Sequence, residues 1–190
     1  MGFNARLFDI YNWIDREAWA DWAPRTDNGK IISNIYQEFR EKAPDVLCIQ
    51  EFYYQKKAPF NTIDSLKRLG YKHHQKHFLV VEKSRGTVNK YGIATFSKHP
   101  IIQQKSLGKE EGFLNGALIS DIKIKDKIVR VINVHFNSYR LSKEDYHTLK
   151  SIRDVERDSL ETDKIQGLFT TIKRGTTLRW EEIKEVKKWM

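Results

Sequence analysis

Pro44-Asp45-Val46-Leu47-Cys48-Ile49-Gln50-Glu51 joins an unbroken apolar run to two polar residues. A strand wetted on one face alternates apolar with polar. Val46 to Ile49 does not, so it reads as a strand covered on both faces, inside an α/β layer structure. Ligands of such sheets gather where strands leave the core, which puts Glu51 where a functional carboxylate belongs. Placement alone equally admits a solvated acid at a strand end.

Upstream, Ile31, Ile32, Ile35, Tyr36 and Phe39 recur at helical spacing after Asp27, a candidate N-cap, and Pro44 closes the segment. Before that helix stands a short strand candidate, Phe3 to Phe8, with Asn4 in it. Downstream, Asn61 can cap a short helix carrying Ile63, Leu66 and Leu69, with Gly70 as its stop. The pattern then turns β-rich over Phe78–Val81, Gly92–Phe96, Gly116–Ile124 and Ile128–His135, the last two forming a hairpin about Asp126-Lys127. From Ser142 the texture changes to charged helices, and Trp180, Ile183, Val186 and Trp189 repeat at helical spacing up to the last residue.

Composition bounds the class. The chain has 190 residues, 34 Lys+Arg against 25 Asp+Glu, and a formal charge of +9. A chain of this size buries roughly 70% of its unfolded surface, ample for a core without staples. Its single cysteine, Cys48, lies in the apolar run and reads as a small buried thiol, so a disulfide scaffold is excluded. No apolar stretch spans a bilayer and no signal peptide is visible, which leaves a cytoplasmic default. Basic charge favours anionic partners without choosing among them.

Period-two alternation in Asn133-Val134-His135 sets Asn133 and His135 on one face of a strand end. A strand histidine is usually satisfied structurally, and Asn4 by itself reads as a turn or cap residue. Together the segments resemble the endonuclease/exonuclease/phosphatase superfamily of DNase I-like, metal-dependent phosphoesterases. Phe3-Asn4-Ala5-Arg6 is similar to its first strand. Residues Pro44 to Glu51 resemble its Pro-Asp-(apolar)-Gln-Glu signature. Tyr91-Gly92-Ile93-Ala94-Thr95-Phe96-Ser97-Lys98-His99-Pro100-Ile101 resembles the Gly-(apolar)-Ser-(Lys/Arg)-x-Pro segment, and Asn133-Val134-His135 its Asn/Thr-His strand end.

The resemblance implies a two-sheet α/β sandwich with its site at one edge. Glu51 would ligate Mg²⁺ or Mn²⁺, Asn4 would hydrogen-bond the scissile phosphate or order the metal site, and His135 would steady phosphate charge or protonate the leaving oxygen. The substrate would be a phosphoester: nucleic acid, a phosphorylated small molecule or a lipid headgroup. The family's Gly-Asp-x-Asn string and terminal Asp-His pair do not occur in these 190 residues. The expectation is therefore one partial domain over 1–190, truncated at its C-terminus, with motif-bearing strands over 1–138 and a helical segment over 139–190. Such a chain is expected to be inactive without the missing C-terminal part. The alternative is a noncatalytic basic module that binds nucleic acid or a protein.

Other clusters have plain readings beside functional ones. His73-His74-x-x-His77 falls on a strand and lacks zinc spacing. Phe52-Tyr53-Tyr54 with Lys56-Lys57 reads either as a loop folded on the core or as a base-stacking, phosphate-binding segment. Arg85, Lys90, Lys98 and Lys105 would line an anionic groove or lie scattered, and Trp13, Trp19 and Trp22 would form an aromatic lid or a packing cluster beside the site.

Overall fold

The structure, a computed structural model, describes residues 1–5, 28–57, 60–84, 86–108, 115–153 and 162–190. The N-cap Asp27, residues 6–8 of the first strand candidate, Trp13, Trp19, Trp22 and Arg85 lie outside them. The chain divides into two units, Met1–His135 and Phe136–Met190.

The first unit contains β1 (Gly2–Asn4), α1 (Asn28–Lys42), β2 (Val46–Tyr54), α2 (Thr62–Arg68), β3 (His73–Ser84), β4 (Thr87–Ser97), β5 (Ile101–Leu107), β6 (Gly116–Ile124) and β7 (Lys127–His135). One sheet has the order β1-β2-β4-β3 and the other β5-β6-β7. Only β1 and β2 run parallel; the remaining pairs are antiparallel. The hairpin β6-β7 forms as its alternation predicts. β5 has no counterpart in the sequence pattern, because Gln103, Gln104 and Lys105 break its apolar run.

Each face of the larger sheet is covered differently. Leu47, Ile49 and Phe96 are buried with Ile32 and Phe39 of α1 and Leu66 of α2, and Phe3 of β1 meets Phe39 edge-on at 5.2 Å. Helix α2 is capped as its sequence predicts, the Asp64 amide donating to Asn61 Oδ1 at 3.4 Å. Gly70 follows at φ +96, a left-handed turn that suits glycine. On the opposite face the second sheet packs with polar ties. Ser120 donates to Gln75 Oε1 at 2.6 Å, and Gln75 Nε2 donates to the Lys105 carbonyl at 2.8 Å. The α/β two-sheet sandwich is thus the fold of this unit.

The second unit contains α3 (Lys143–Arg153) and α4 (Thr162–Lys187). Ser142 caps α3 reciprocally: the Asp145 amide donates to Ser142 Oγ at 3.1 Å, and the Ser142 amide to Asp145 Oδ2 at 2.7 Å. The segment before it lies along α4. Glu182 accepts from the Asn137 amide at 2.9 Å, Arg179 Nε donates to the Asn137 carbonyl at 2.6 Å, and its guanidinium stacks 4.0 Å from the Tyr139 ring centre. Gly175 is required there, since a Cβ would collide with Tyr139. No helix among the described residues is long and apolar enough to cross a membrane.

Candidate functional site

The strand β2 does not end at Ile49. Ile49 pairs with Ala94 and Phe52 with Gly92, so Gln50 and Glu51 oppose the single residue Ile93. This is a β-bulge, and pairing resumes for Phe52 to Tyr54. Glu51 adopts φ +49, a left-handed conformation that costs an ordinary residue about 1 kcal/mol or more. The bulge explains why two polar residues interrupt a covered strand: the extra residue turns the Glu51 side chain away from the alternation of its neighbours.

The C-terminal end of β7 arrives beside this bulge. His135 Nε2 lies 3.4 Å from Glu51 Oε1, with the two side chains 21% and 19% exposed. Opposite His135, on β6, stands Gly116, which places no side chain beside the imidazole. Asn133, two residues earlier, is fully buried and serves as the clasp between sheets. Its amide donates to the Ala94 carbonyl at 2.9 Å and reaches the Ile49 carbonyl at 3.4 Å, while its Oδ1 accepts from Gln50 Nε2 at 2.6 Å. Asn133 and His135 share a face as their spacing predicts, one for holding the sheets and one for the site.

The end of β1 reaches the same place through its backbone. β1 runs parallel to β2 with Asn4 in register with Gln50, and the Ala5 amide donates to the Gln50 carbonyl at 2.9 Å. Three segments far apart in sequence therefore meet: the end of β1, the bulge of β2 and the end of β7. The positioning role shared by Gln50 and Asn133 is not evident from the motifs. Its signal is present in the sequence all the same, because a polar residue completely enclosed in a strand must find partners.

The remaining candidates separate from this site. The Ser97-Lys98-His99-Pro100 turn stands at the other end of β4, where Ser97 pairs with Val46. Lys98 Nζ donates to the Ala43 carbonyl at 2.6 Å and sits 5.5 Å from the Tyr71 ring centre. Lys90 lies near the start of β4 and Lys105 on the other sheet. Lys90, Lys98 and Lys105 accordingly form no common groove. Phe52 and Tyr53 belong to the core, whereas Tyr54 remains half-buried. His74 stacks on Phe96 with ring centres 5.5 Å apart; burial and then neighbouring Lys76, Lys67 and His73 lower its pKa. Cys48 is half-buried, and desolvation raises its pKa, so it is not activated as a thiolate.

The model of the endonuclease/exonuclease/phosphatase family matches residues 6–166. The chain belongs to that family, whose members are phosphoesterases. An endonuclease/exonuclease/phosphatase from Beutenbergia cavernae is similar at 17% identity and a TM-score of 0.49, over 80% of this chain and 42% of that one. A family protein from Leptotrichia buccalis is similar at 14% identity and 0.42, over 76% and 60%. ANGEL2, a 2',3'-cyclic phosphatase, is similar at 19% identity and 0.48, over 76% and 42%. The chain thus spans between 42% and 60% of the length of these structures. No curated protein matches it in sequence.

Proposed function

We propose that this chain carries the metal-side half of a phosphoester hydrolase site, with Glu51 as the carboxylate ligand of Mg²⁺ or Mn²⁺ and with His135 and Asn4 acting on the phosphate. The observation that carries this reading is the left-handed bulge at Glu51, 3.4 Å from His135. Strained non-glycine backbone persists only where its surroundings hold it, and here it projects a carboxylate toward an imidazole.

The donors present suit a hard divalent cation. Such an ion binds through one or two protein carboxylates and retains several waters. Among the described residues no three His, Cys, Asp or Glu side chains gather into a group that could hold a metal ion, and Glu51 stands beside His135. When bound, the cation would polarise the phosphoryl oxygen and offset its developing charge.

The protein's own groups divide the remaining work. Glu51 supplies fixed negative charge. His135 donates a hydrogen bond from Nε2 to a phosphate oxygen, or passes that proton to the leaving oxygen. Asn4 contributes an amide hydrogen bond to the same phosphate. Asn133 and Gln50 keep the bulge at a constant distance from β7. The Gly-Asp-x-Asn string and the Asp-His pair, which would position water and serve as base, do not occur in the 190 residues, so the roles proposed for this chain are confined to metal and phosphate binding.

Calorimetric titration with Mn²⁺ tests the assignment. Glu51→Gln, nearly isosteric but uncharged, should weaken binding at least about tenfold, equivalent to about 1.4 kcal/mol. Unchanged affinity would remove Glu51 from the site.

A further inference from the structure

We infer that Leu79 and Ile93 are positioning residues for the candidate site, an apolar spacer between the two sheets that sets the 3.4 Å separation of Glu51 and His135. Its consequence for metal affinity rests on the phosphoesterase reading; its geometry rests on the packing alone.

The strand β4 has a longer neighbour on each side. While it passes from Ala94 to Tyr91, β2 passes from Ile49 to Tyr53 and β3 from Lys76 to Val80, one residue more in each case. The extra residues stand at nearly the same level. On β2, Gln50 and Glu51 oppose Ile93; on β3, Leu79 is the extra residue, after Phe78 has paired with Gly92 and before Val80 pairs with Tyr91. Gly92 lies between these two irregularities. A Cβ there would collide with the His77 carbonyl, so the backbone of β3 closes over β4 at this point, an approach that glycine permits.

From this level Leu79 and Ile93 reach into the second sheet. Both are buried, at 1% and 0% exposure. Their Cδ1 atoms lie 3.6 and 3.7 Å from the place a Cβ of Gly116 would occupy, and Leu79 Cδ2 lies 3.6 Å from that of Gly108. The two glycines thus leave room for side chains rooted on the other sheet. Gly116 is the register partner of His135. Directly opposite residues hold their Cβ positions about 5 Å apart on one face, so the two methyl groups fill the space beside the root of the imidazole. Ile93 is also the residue that Gln50 and Glu51 oppose. It therefore joins the bulge of β2 to the end of β7, and Leu79 fills the same space from β3. The hydrogen bonds of Asn133 to the Ala94 carbonyl and from Gln50 draw the sheets together. A close-packed apolar pair resists compression and sets how near they come.

Two measurements on the 190-residue chain test the spacer, one without metal. In EDTA, the imidazole Cε1 resonance of His135, identified by its loss in His135→Gln, should shift or broaden in Leu79→Ala, which leaves a void beside Gly116. Leu79→Met restores the volume and should restore the resonance. Ile122→Ala empties an equally buried position toward the far end of β6 and should leave the resonance in place. In calorimetry with Mn²⁺, Leu79→Ala should lose about tenfold in affinity, the scale for groups that orient a metal ligand, and the other two variants less than about twofold. Where Leu79→Ala does not fold, Leu79→Val makes a smaller void at the same point and is read in its place. An unmoved His135 resonance, or an equal displacement in Ile122→Ala, would overturn the spacer, as would intact Mn²⁺ affinity in Leu79→Ala where Glu51→Gln has weakened it. A displaced resonance with Mn²⁺ affinity indifferent to Glu51→Gln would leave the spacer standing and remove the metal assignment.

Discussion

The two ends of the β2-β4 pair carry equally recognisable strings and do opposite things. At one end, Ser97-Lys98-His99-Pro100 closes on itself. The Lys98 amide donates to the Asp45 carbonyl at 3.0 Å, its ammonium to the Ala43 carbonyl, and the His99 amide to Ser97 Oγ at 2.9 Å. Ala43 has φ +40 at the end of α1, and Lys98 satisfies the carbonyl exposed there. At the other end, backbone strain presents a carboxylate to an imidazole in a partly open setting. At Ala43 the left-handed residue belongs to a hydrogen-bonded turn; at Glu51 it holds a carboxylate beside an imidazole.

That contrast is tested most severely at Gly92, the residue paired with Phe52 just past the bulge. A Cβ there would drive into the backbone carbonyl of His77, which cannot rotate away. Gly92→Ala should cost about 3 kcal/mol or more, the scale of overpacking against a fixed neighbour. Urea unfolding would show it, and a loss under about 1 kcal/mol would mean that β3 yields readily near its register shift between Phe78 and Val80.

A pair of substitutions separates the two ends through opposite signs. Lys98→Met removes one charge-assisted hydrogen bond and should lower stability by about 1.5 kcal/mol while leaving Mn²⁺ affinity unchanged. Glu51→Gly relieves the left-handed strain and should raise stability by about 0.5 kcal/mol, after the entropic cost of glycine, while abolishing that affinity. If Glu51→Gly instead destabilises, the bulge is favoured by packing and the strain argument fails.

The smallest effect is a control far from both ends. Arg130 grips Asp121 across β6-β7 with two bonds of 2.7 Å. This hydrogen bonding holds the Asp121 carboxyl below the usual range. The pair's contribution is present above the unfolded carboxyl pKa of about 4 and disappears as pH falls through the lower, folded value. Asp121→Asn should cost less than about 1 kcal/mol at neutral pH and flatten the stability profile below about pH 4. Mn²⁺ affinity should not move.

Much of the site is legible in the sequence. Glu51 follows an apolar run too continuous to be half-wetted, and His135 and Asn133 alternate onto one face, because both patterns are local consequences of strand geometry. The bulge is not legible there. Val46 to Glu51 looks like a strand that stops, since nothing in the string tells whether pairing resumes at Phe52. The lysines mislead for the same reason: Lys90 and Lys98 are close in sequence, yet the intervening strand carries them to opposite ends of β4. Phe52 and Tyr53 read more readily as a segment folded on the core than as ligand-stacking groups, and neighbours from β3, β4 and the segment at Phe60 decide for the core.

The α/β class follows from short-range periodicity, and the segments that resemble the family, with Glu51 and His135 in them, can be read along the chain as strings. Which motif becomes a site and which a turn, where Glu51 points, and that Leu79 and Ile93 meet at Gly116 are matters of folding at long range. Each of these depends on register: Ile49 against Ala94, Phe52 against Gly92, Val80 against Tyr91. Register is settled by contacts between strands distant in the chain, and a shift of one residue would send every one of these side chains to the opposite face.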